Sequence, residues 1–326
     1  MATFNYGGQA VIEGVMMRGR RSVAVAVRQP SGEMLVHEEP LAPRLYQNRL
    51  FRLPLLRGVL LLWDMLVLGT RMMALAANAA AGQTTGWEML STRVMVFAAH
   101  VAAGQTTGED GKASPGLGKG ALAITLTISL AFAIGIFFLG PLALVGLVQR
   151  QVGNGALALV LEGVIRLAIL LGYLWLIGRM SGIQRVFGYH GAEHKAINTY
   201  EHGEPLDVAH VRTASRVHTR CGTGFLLIVM VVSIFVFALV GDPPLILRIL
   251  SRIVLVPVAA AIAYELMRLG ATYYRFRIVR WMMAPSLALQ GFTTREPDDA
   301  QIECAICALE LVLEKDGVIA PGRAVA

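Results

Sequence analysis

Four apolar segments constrain the fold of this chain more than any other feature of its sequence. They cover residues of about 120–148, 156–178, 223–240 and 246–269. Each reaches or approaches the length of about 20 apolar residues that a helix needs to cross a bilayer. The chain is also 55% hydrophobic and only 16% charged, which excludes an ordinary soluble domain. The sequence therefore predicts an α-helical polytopic membrane protein with about four transmembrane helices.

The distribution of basic residues predicts the orientation of these helices. The 149–155 loop carries a single basic residue, Arg150, and the 241–245 loop carries none. Cytoplasmic loops are enriched in Lys and Arg, and no basic region followed by an apolar core marks a signal peptide at the N-terminus. We therefore expect an inner-membrane protein with both termini and the 179–220 segment in the cytoplasm. That segment carries Arg179, Arg185, Lys195, Arg212, Arg216 and Arg220.

The regions outside these spans are expected to differ in structure. Residues 1–50 are polar, and the alternating runs Ser22–Arg28 and Met34–Glu38 predict a β-hairpin. Residues 51–116 are apolar but interrupted by charges, and they contain a tandem duplication, so we expect amphipathic or re-entrant helices there. The predicted organisation is 1–50 β-rich, 51–116 amphipathic, 117–178 with two spans, 179–222 a histidine-rich cytoplasmic loop, 223–270 with two more spans, and 271–326 a cytoplasmic C-terminal segment.

A helix is expected near the C-terminus. Thr293 and Glu296 fit a capping box, Pro297 suits a first helical turn, and apolar residues recur at helical spacing as far as about Lys315. Cys304 and Cys307 lie inside this predicted helix with apolar neighbours, so their C-x-x-C spacing indicates core packing rather than redox chemistry. With Cys221 they make three cysteines, an odd and sparse set that fits a reducing compartment.

The segment His190-Gly191-Ala192-Glu193-His194 carries the strongest chemical signal. In a helix, His190 and His194 would share a face and could bind one metal ion, with Glu193 beside them as a general base. The pattern H-x-x-E-H is the inverted zinc-protease signature. It lies in a region where five of the seven histidines of the chain fall within 29 residues.

The remaining ligands of such a site stay open at the sequence level. A catalytic site would add one carboxylate or imidazole and keep a position for water, whereas a structural site would close with four ligands. The bland alternative is that the histidines only form hydrogen bonds at the surface. The candidates for completing a zinc site are Glu201, His218, Cys221 and Glu265.

Two intramembrane carboxylates have simpler explanations. Glu265 is a functional candidate because charged groups within membrane segments are costly, but it could instead pair with Arg268 or another basic residue. Glu162 and Arg166 are four residues apart in a predicted span, and we expect them to neutralise each other as a structural pair.

Several runs of the sequence resemble the YqhQ-like bacterial membrane family. They lie at 7–19, 185–195, 200–203, 218–223, 264–265 and 289–299. The resemblance implies a membrane protein that is described as a predicted metal-dependent enzyme and otherwise as a domain of unknown function.

Two functions are therefore expected. The leading one is a metal-dependent hydrolase at the cytoplasmic membrane face that acts on an amide, ester or phosphoester bond. The alternative is a non-catalytic factor in membrane-protein insertion or assembly that contacts a client protein, the translocon, the ribosome or anionic lipid headgroups. Aromatic residues are sparse among the basic ones, so DNA or RNA recognition is not favoured.

Overall fold

The fold combines a small N-terminal sheet with a largely helical remainder. It was analysed as a computed structural model, which describes residues 4–41, 53–80, 119–152, 156–241 and 243–320. The second copy of the tandem duplication lies outside the described residues. The mostly helical class and the small N-terminal sheet agree with the sequence prediction.

The four strands form an antiparallel sheet in the order of the sequence. The predicted hairpin is confirmed, with Ser22 opposite Pro40 and Arg28 opposite Met34. The third strand, Ser22–Arg28, is buried on both faces because its side chains alternate between two cores, with Val25 in one and Ala24 in the other. The strands are β1 (Gly7–Val11), β2 (Gly14–Arg18), β3 (Ser22–Arg28) and β4 (Met34–Pro40).

Helices account for most of the remaining described residues. The longest helix, Leu245–Thr272, contains Pro257. One π-helical turn at Gly135–Leu139 separates the helix that ends at Ile134 from the helix that begins at Gly140. The helices are α1 (Leu56–Ala80), α2 (Lys119–Ile134), α3 (Gly140–Val152), α4 (Ala156–Ile177), α5 (Ser181–His202), α6 (Val208–Thr213), α7 (Gly222–Ala238), α8 (Leu245–Thr272), α9 (Arg277–Thr293) and α10 (Asp299–Lys315).

Four helices of the described residues are long and apolar enough to cross a membrane. Three of these stretches, Thr127–Leu147, Val160–Ile177 and Ile246–Thr272, coincide with predicted spans. The fourth is Leu56–Ala80, where the sequence predicts an amphipathic or re-entrant helix, and the predicted span at 223–240 is the shorter apolar helix Gly222–Ala238.

The two ends of α1 contact different parts of the molecule. At its N-terminal end Arg57 forms an ion pair with Glu265 of α8, and Gly58 lies against the ring of Tyr264. Further along, Leu68 and Met72 pack on the sheet. The charges that interrupt this segment therefore lie toward protein partners.

The sheet, α5 and α10 share one core, which holds the two ends of the chain together. Tyr6 donates a hydrogen bond to Asp316, and the backbone N–H groups of Arg20 and Arg21 do the same. Both terminal regions therefore lie on one side of the helical bundle. This core includes Val15, Ala24, Ala192, Ile197, Ile302 and Leu309.

The predicted capping box of the C-terminal helix is wrong, although its predicted end at Lys315 is confirmed. Asp298 is the N-cap, and its carboxylate and the side chain of Gln301 bond reciprocally to backbone N–H groups. Thr293 is instead the last residue of α9. Asp298 rather than Thr293 is the N-cap because a short carboxylate is among the strongest N-cap groups.

Candidate metal centre

The histidine motif lies on helix α5, in a region that the sequence analysis treats as a loop. Because the segment from Ser181 to His202 is helical, His190 and His194 lie one turn apart on the same face. Their rings meet edge to face, with centroids 4.4 Å from each other. Gly203 ends the helix at a φ of +74°, a left-handed conformation that favours glycine. The conditional expectation that the two imidazoles share a face is confirmed.

Cys221 supplies the third side chain of the centre. Its Sγ atom lies 3.3 Å from Nε2 of His190. One potential ligand atom from each of His190, His194 and Cys221 lies within 4.8 Å of the others. Cys221 is also the N-cap residue of α7. The centre therefore joins α5 to the first turn of an apolar helix.

The segment that leads to Cys221 is bound to α5 through its backbone carbonyls. The side-chain amide of Asn198 donates to the carbonyls of Ser215 (2.7 Å) and Val217 (3.0 Å). The ammonium of the buried Lys195 donates to the carbonyl of Arg212 at 2.6 Å. Polar residues on α5 thus hold the segment that precedes Cys221. These bonds explain why Cys221 lies beside the histidines although it follows His194 by 27 positions in the sequence.

Helix α9 supports the centre from the other side. The amide of Gln290 accepts from the backbone N–H of His218 at 2.9 Å and donates to its carbonyl at 2.8 Å. Gln290 is 1% exposed, and the backbone of His218 satisfies both its side-chain oxygen and its side-chain nitrogen. This helix was not expected from the sequence.

Hydrogen bonds to carbonyls orient both imidazoles toward the centre. Nδ1 of His190 lies 2.8 Å from the carbonyl oxygen of Thr293, and Nδ1 of His194 lies 2.5 Å from that of Arg216. A carbonyl only accepts, so Nδ1 carries a proton in each ring, and Nε2 is the nitrogen left for the centre. Metal-binding histidines in proteins are oriented in the same way.

Glu193 lies next to both imidazoles and is 4% exposed. Its Oε2 atom is 3.6 Å from Nε2 of His194 and 4.0 Å from Nε2 of His190. Its other oxygen accepts a hydrogen bond from the backbone N–H of Gly8 at 3.0 Å. Glu193 does not belong to the set of three converging ligand atoms, so it is placed as a neighbour of the centre.

Gly8 is a site residue that the sequence analysis did not identify. A Cβ atom at this position would lie 2.5 Å from the carbonyl oxygen of Met16 and 2.9 Å from Cγ of Glu193. Only glycine allows strand β1 to approach α5 this closely. The Gly7-Gly8 pair is the feature of the sequence that could have indicated it, because glycines permit close backbone approach.

The three side chains shift one another's protonation. Burial alone would raise the pKa of the Cys221 thiol, but the hydrogen-bonded imidazoles of His190 and His194 hold it well below its usual range. Burial alone would lower the pKa of His194, but Cys221 and the charge of Glu193 raise it to about 9. The pKa of His190 is raised for the same reason, against the effect of burial. The centre therefore favours a thiolate, the form of cysteine that binds metals.

Two hydroxyl groups extend this network. The hydroxyl of Thr293 donates to that of Thr223 at 3.1 Å, and Oγ1 of Thr223 lies 3.1 Å from Sγ of Cys221. Because Thr223 accepts from Thr293, its own proton is available to the sulfur. A hydrogen bond of this kind stabilises the charged form of the thiol.

Comparisons with known proteins identify the family. The family described as a protein of unknown function, DUF1385, matches residues 53–315. The chain belongs to this family. It is also similar to the Bacillus subtilis protein named uncharacterized protein YqhQ, at 32% identity over 302 residues that cover 92% of this chain and 90% of that protein. No solved structure matches the chain. The resemblance noted in the sequence is thus confirmed, and it brings no established function with it.

The other predicted ligands lie outside the group of three. The ring of His218 is 5.7 Å from that of His194, and its Nε2 atom is 3.5 Å from a carboxylate oxygen of Glu201. Glu201 also pairs with Arg220. Burial would raise the pKa of Glu201, but His218 and Arg220 together lower it. His218 and Glu201 thus lie beside each other next to the centre.

Glu265 is used elsewhere. Both of its carboxylate oxygens accept from the guanidinium of Arg57, and the backbone N–H of Leu55 adds a third hydrogen bond at 3.3 Å. The ion-pair alternative for Glu265 therefore describes its contacts, with Arg57 as the partner in place of Arg268. Cys304 lies in the core beneath the sheet, and burial raises the pKa of its thiol to about 11.

The basic residues of the histidine segment are mostly neutralised. Five of the six form ion pairs with carboxylates, and the remaining one, Arg179, stacks on the ring of Trp175 at 3.6 Å. The pairs are Arg185–Glu13, Lys195–Glu296, Arg212–Asp299, Arg216–Glu296 and Arg220–Glu201. These side chains stabilise the arrangement of the segment around the centre.

The donor set fits a zinc ion. Bonds of about 2.3 Å to sulfur and about 2.0 Å to nitrogen in a tetrahedral site separate the two ligand atoms by roughly 3.5 Å. The 3.3 Å between Cys221 and His190 is close to that separation. Among the side chains of α5 at the centre, that of His190 is the most exposed, at 15%.

Proposed function

We propose that His190, His194 and Cys221 bind one zinc ion and that the protein is a metal-dependent hydrolase at the cytoplasmic membrane face. The observation that carries the proposal is the convergence of two imidazole nitrogens and one sulfur within 4.8 Å. Nδ1 of each imidazole also bonds to a backbone carbonyl, which leaves Nε2 for a metal. A thiolate and two imidazoles favour Zn²⁺ over Mg²⁺ or Ca²⁺, which prefer oxygen ligands.

Three protein ligands leave one tetrahedral position for water or substrate, as in catalytic zinc sites. A zinc ion there supplies a Lewis acid that lowers the pKa of water toward 7. Glu193 is placed to accept a proton, because Oε2 lies within 4.0 Å of both Nε2 atoms while Oε1 is held by Gly8. The substrate class remains an amide, ester or phosphoester bond close to the membrane.

The proposed location follows from the connectivity of the apolar helices. α3 and α4 pack together and are joined by a short connection, and so are α7 and α8. Two such hairpins return the chain to the side on which the sheet and α10 lie. The positive-inside rule makes that side the cytoplasm. His218 and Glu201 would then support the centre, and Glu265 would anchor α1.

Elemental mass spectrometry on the purified full-length protein tests the metal. We expect close to one zinc per chain, and loss of zinc in the His190→Ala/His194→Ala variant. The matched control is His210→Ala, since His210 is exposed and bonds only to its own helix cap, Asp207. Absence of metal from folded protein that has met no chelator would refute the proposal.

The catalytic part needs a separate test. Glu193→Gln keeps the shape and the hydrogen-bond acceptor for Gly8 but removes the proton acceptor. We expect this variant to retain zinc and to lose hydrolysis in a screen of ester, amide and phosphoester substrates. A variant with unchanged activity would exclude Glu193 as the base.

The second candidate is a non-catalytic factor in membrane-protein insertion or assembly. It is favoured by the exposed residues just before and within α9, where basic and large apolar side chains alternate. Such a surface suits anionic headgroups, a client protein or the translocon. Crosslinking from this surface to partner proteins, together with full function of Glu193→Gln in cells, would favour this candidate. The exposed residues are Arg275, Phe276, Arg277, Ile278, Arg280 and Trp281.

A further inference from the structure

A second buried polar cluster lies within the apolar helices, away from the metal centre. Glu162 and Arg166 of α4 and Arg252 of α8 are 5%, 1% and 2% exposed. One oxygen of Glu162 accepts from Arg166 at 2.6 Å and the other accepts from Arg252 at 2.9 Å. The predicted pair of Glu162 and Arg166 is present, but it contains a second arginine that the sequence analysis did not place there.

The charges of this cluster do not balance. Both guanidinium groups stay protonated under all ordinary conditions, and one carboxylate serves both. Among the residues that the structure describes, no second carboxylate is bonded to either arginine. A net positive charge buried among apolar helices is costly, and intramembrane charges of this kind mark functional sites.

The hydrogen bonds are unevenly distributed between the two arginines. Arg166 uses three nitrogens, which donate to Glu162, to the hydroxyl of Ser233 at 2.7 Å and to the carbonyl of Phe137 at 3.0 Å. Among the described residues, Arg252 donates to Glu162 alone, and its buried Nε and Nη1 atoms have no hydrogen-bond partner. The unbalanced charge and the unused donors therefore belong to the same side chain.

Aromatic rings line the cluster. The guanidinium carbon of Arg252 is 4.2 Å from the ring centre of Phe237, and that of Arg166 is 5.1 Å from the rings of both Phe237 and Phe138. The π-helical turn provides the Phe138 ring and the Phe137 carbonyl together. Such turns are rare and frequently occur at functional sites. The rings attract cations from their faces but accept no ordinary hydrogen bond from Arg252.

We propose that Arg252, with Arg166 beside it, forms an intramembrane binding site for one monovalent anion, either a halide or a carboxylate. An anion would neutralise the excess charge and accept from the unused donors of Arg252. The site is separate from the metal centre, shares no residue with it and does not depend on the proposed hydrolase activity.

The test measures anion binding by the purified full-length protein in detergent. At constant ionic strength, isethionate, a bulky anion, is replaced by chloride or by acetate while thermal unfolding is followed. We expect a saturable rise of several degrees in the midpoint with at least one of the two anions, and one radioactive ion of that kind, chloride or acetate, bound per chain. Chloride acting alone would identify a halide site and acetate acting alone a carboxylate site. No saturable response to either anion would overturn the proposal.

Two variants make the test specific because they act in opposite directions. Arg252→Met leaves a neutral Glu162–Arg166 pair, so the anion response should disappear while the protein stays folded. Glu162→Gln leaves two guanidinium groups without a carboxylate, so the response should become larger. The matched control is Arg248→Met, one turn earlier on α8, whose guanidinium bonds to the carbonyl of Pro243 and not to this cluster.

An anion response that persists in Arg252→Met would refute the assignment. So would an Arg248→Met variant that loses the response as completely as Arg252→Met does. If Glu162→Gln does not fold, binding of the radioactive anion that gave the response, chloride or acetate, to the unmodified protein and to Arg252→Met still decides the question.

Discussion

The metal centre and the arginine cluster are both buried polar groups, but they are unsatisfied in opposite senses. At the metal centre Nδ1 of His190 and of His194 bonds outward to a carbonyl, so Nε2 atoms and a sulfur, which can all bind a metal, face one another. In the arginine cluster both oxygens of Glu162 are used, and among the described residues N–H donors of Arg252 remain without acceptors. Because buried polar groups in proteins are nearly always paired, the sign of the surplus indicates the charge of the missing ligand.

The two clusters are also held in place by different kinds of chemical group. Backbone groups position the metal centre, including the carbonyls of Thr293 and Arg216 and the N–H of Gly8. Side chains and aromatic rings alone surround most of the arginine cluster. A site held by backbone groups depends on the chain path, whereas a site held by side chains depends on helix packing. Each can therefore be damaged separately.

The largest effect on stability is expected from Glu162→Gln. Removing the single carboxylate leaves two buried guanidinium groups without a counter-ion, which costs about 3–5 kcal/mol in comparable buried pairs. The free energy of unfolding in mixed micelles measures this loss, and the zinc content of the folded fraction should not change. A cost below about 1 kcal/mol would show that the cluster is solvated and would remove the contrast with the metal centre.

Cys221→Ala should have the converse effect. We expect the affinity for zinc to fall by more than about a hundredfold, since even groups that only orient the ligands contribute 10–100-fold. Competition with a chromophoric chelator measures the affinity, and the stability of the metal-free protein should change little. Cys307→Ala is the control because that thiol lies in α10, outside the centre. Equal zinc affinity in the two variants would exclude Cys221 as a ligand.

Gly8→Ala should disturb the position of Glu193. The added methyl group would collide with the carbonyl oxygen of Met16, a backbone atom that cannot rotate away, and we expect a destabilisation of about 1–3 kcal/mol. Zinc should remain bound while hydrolysis falls. Gly7→Ala is a matched control, because a Cβ atom there meets nothing within 4 Å. Equal activity of both variants would contradict a positioning role for Gly8.

Thr223→Val is expected to have the smallest effect of the four. It removes the hydroxyl beside Cys221 but retains the size of the side chain, and a single hydrogen bond contributes about 1 kcal/mol. Zinc affinity should fall by up to about tenfold, as measured by the same chelator competition. Thr213→Val provides the control, since its hydroxyl bonds only to the carbonyl of His210. A loss as large as that of Cys221→Ala would indicate that Thr223 does more than support the thiolate.

Local patterns in the sequence predicted what depends on neighbouring residues. The alternation in Ser22–Arg28 predicted its strand, and the spacing of His190 and His194 predicted a shared face. The choice among Glu201, His218, Cys221 and Glu265 depends on tertiary contacts, because the residues next to each of them in the sequence do not determine its distance from His190 and His194. Hydrogen bonds from Asn198 and Gln290 bring Cys221 to the histidines, and spacing carries no record of them.

The same limit applies within the helical bundle. The four-residue spacing of Glu162 and Arg166 predicted their pairing, which is present. Arg252 is 90 residues from Glu162 and on another helix, so its participation depends on how α4 and α8 pack. Helix α9 was missed because its amphipathic pattern follows a span directly and includes Pro285.

The hydrogen bond between Tyr6 and Asp316 sets an order of events during synthesis. These residues are 310 positions apart, and Gly8, which holds Glu193, lies on the first strand of the same sheet. The ribosome must translate nearly the whole chain before the C-terminal helix can cover the sheet. Gln290 and Thr293, which bond to His218 and His190, also emerge late. The nascent protein therefore cannot assemble the proposed metal centre until its helices have been made, and a truncated product that ends before α9 would lack these supporting groups.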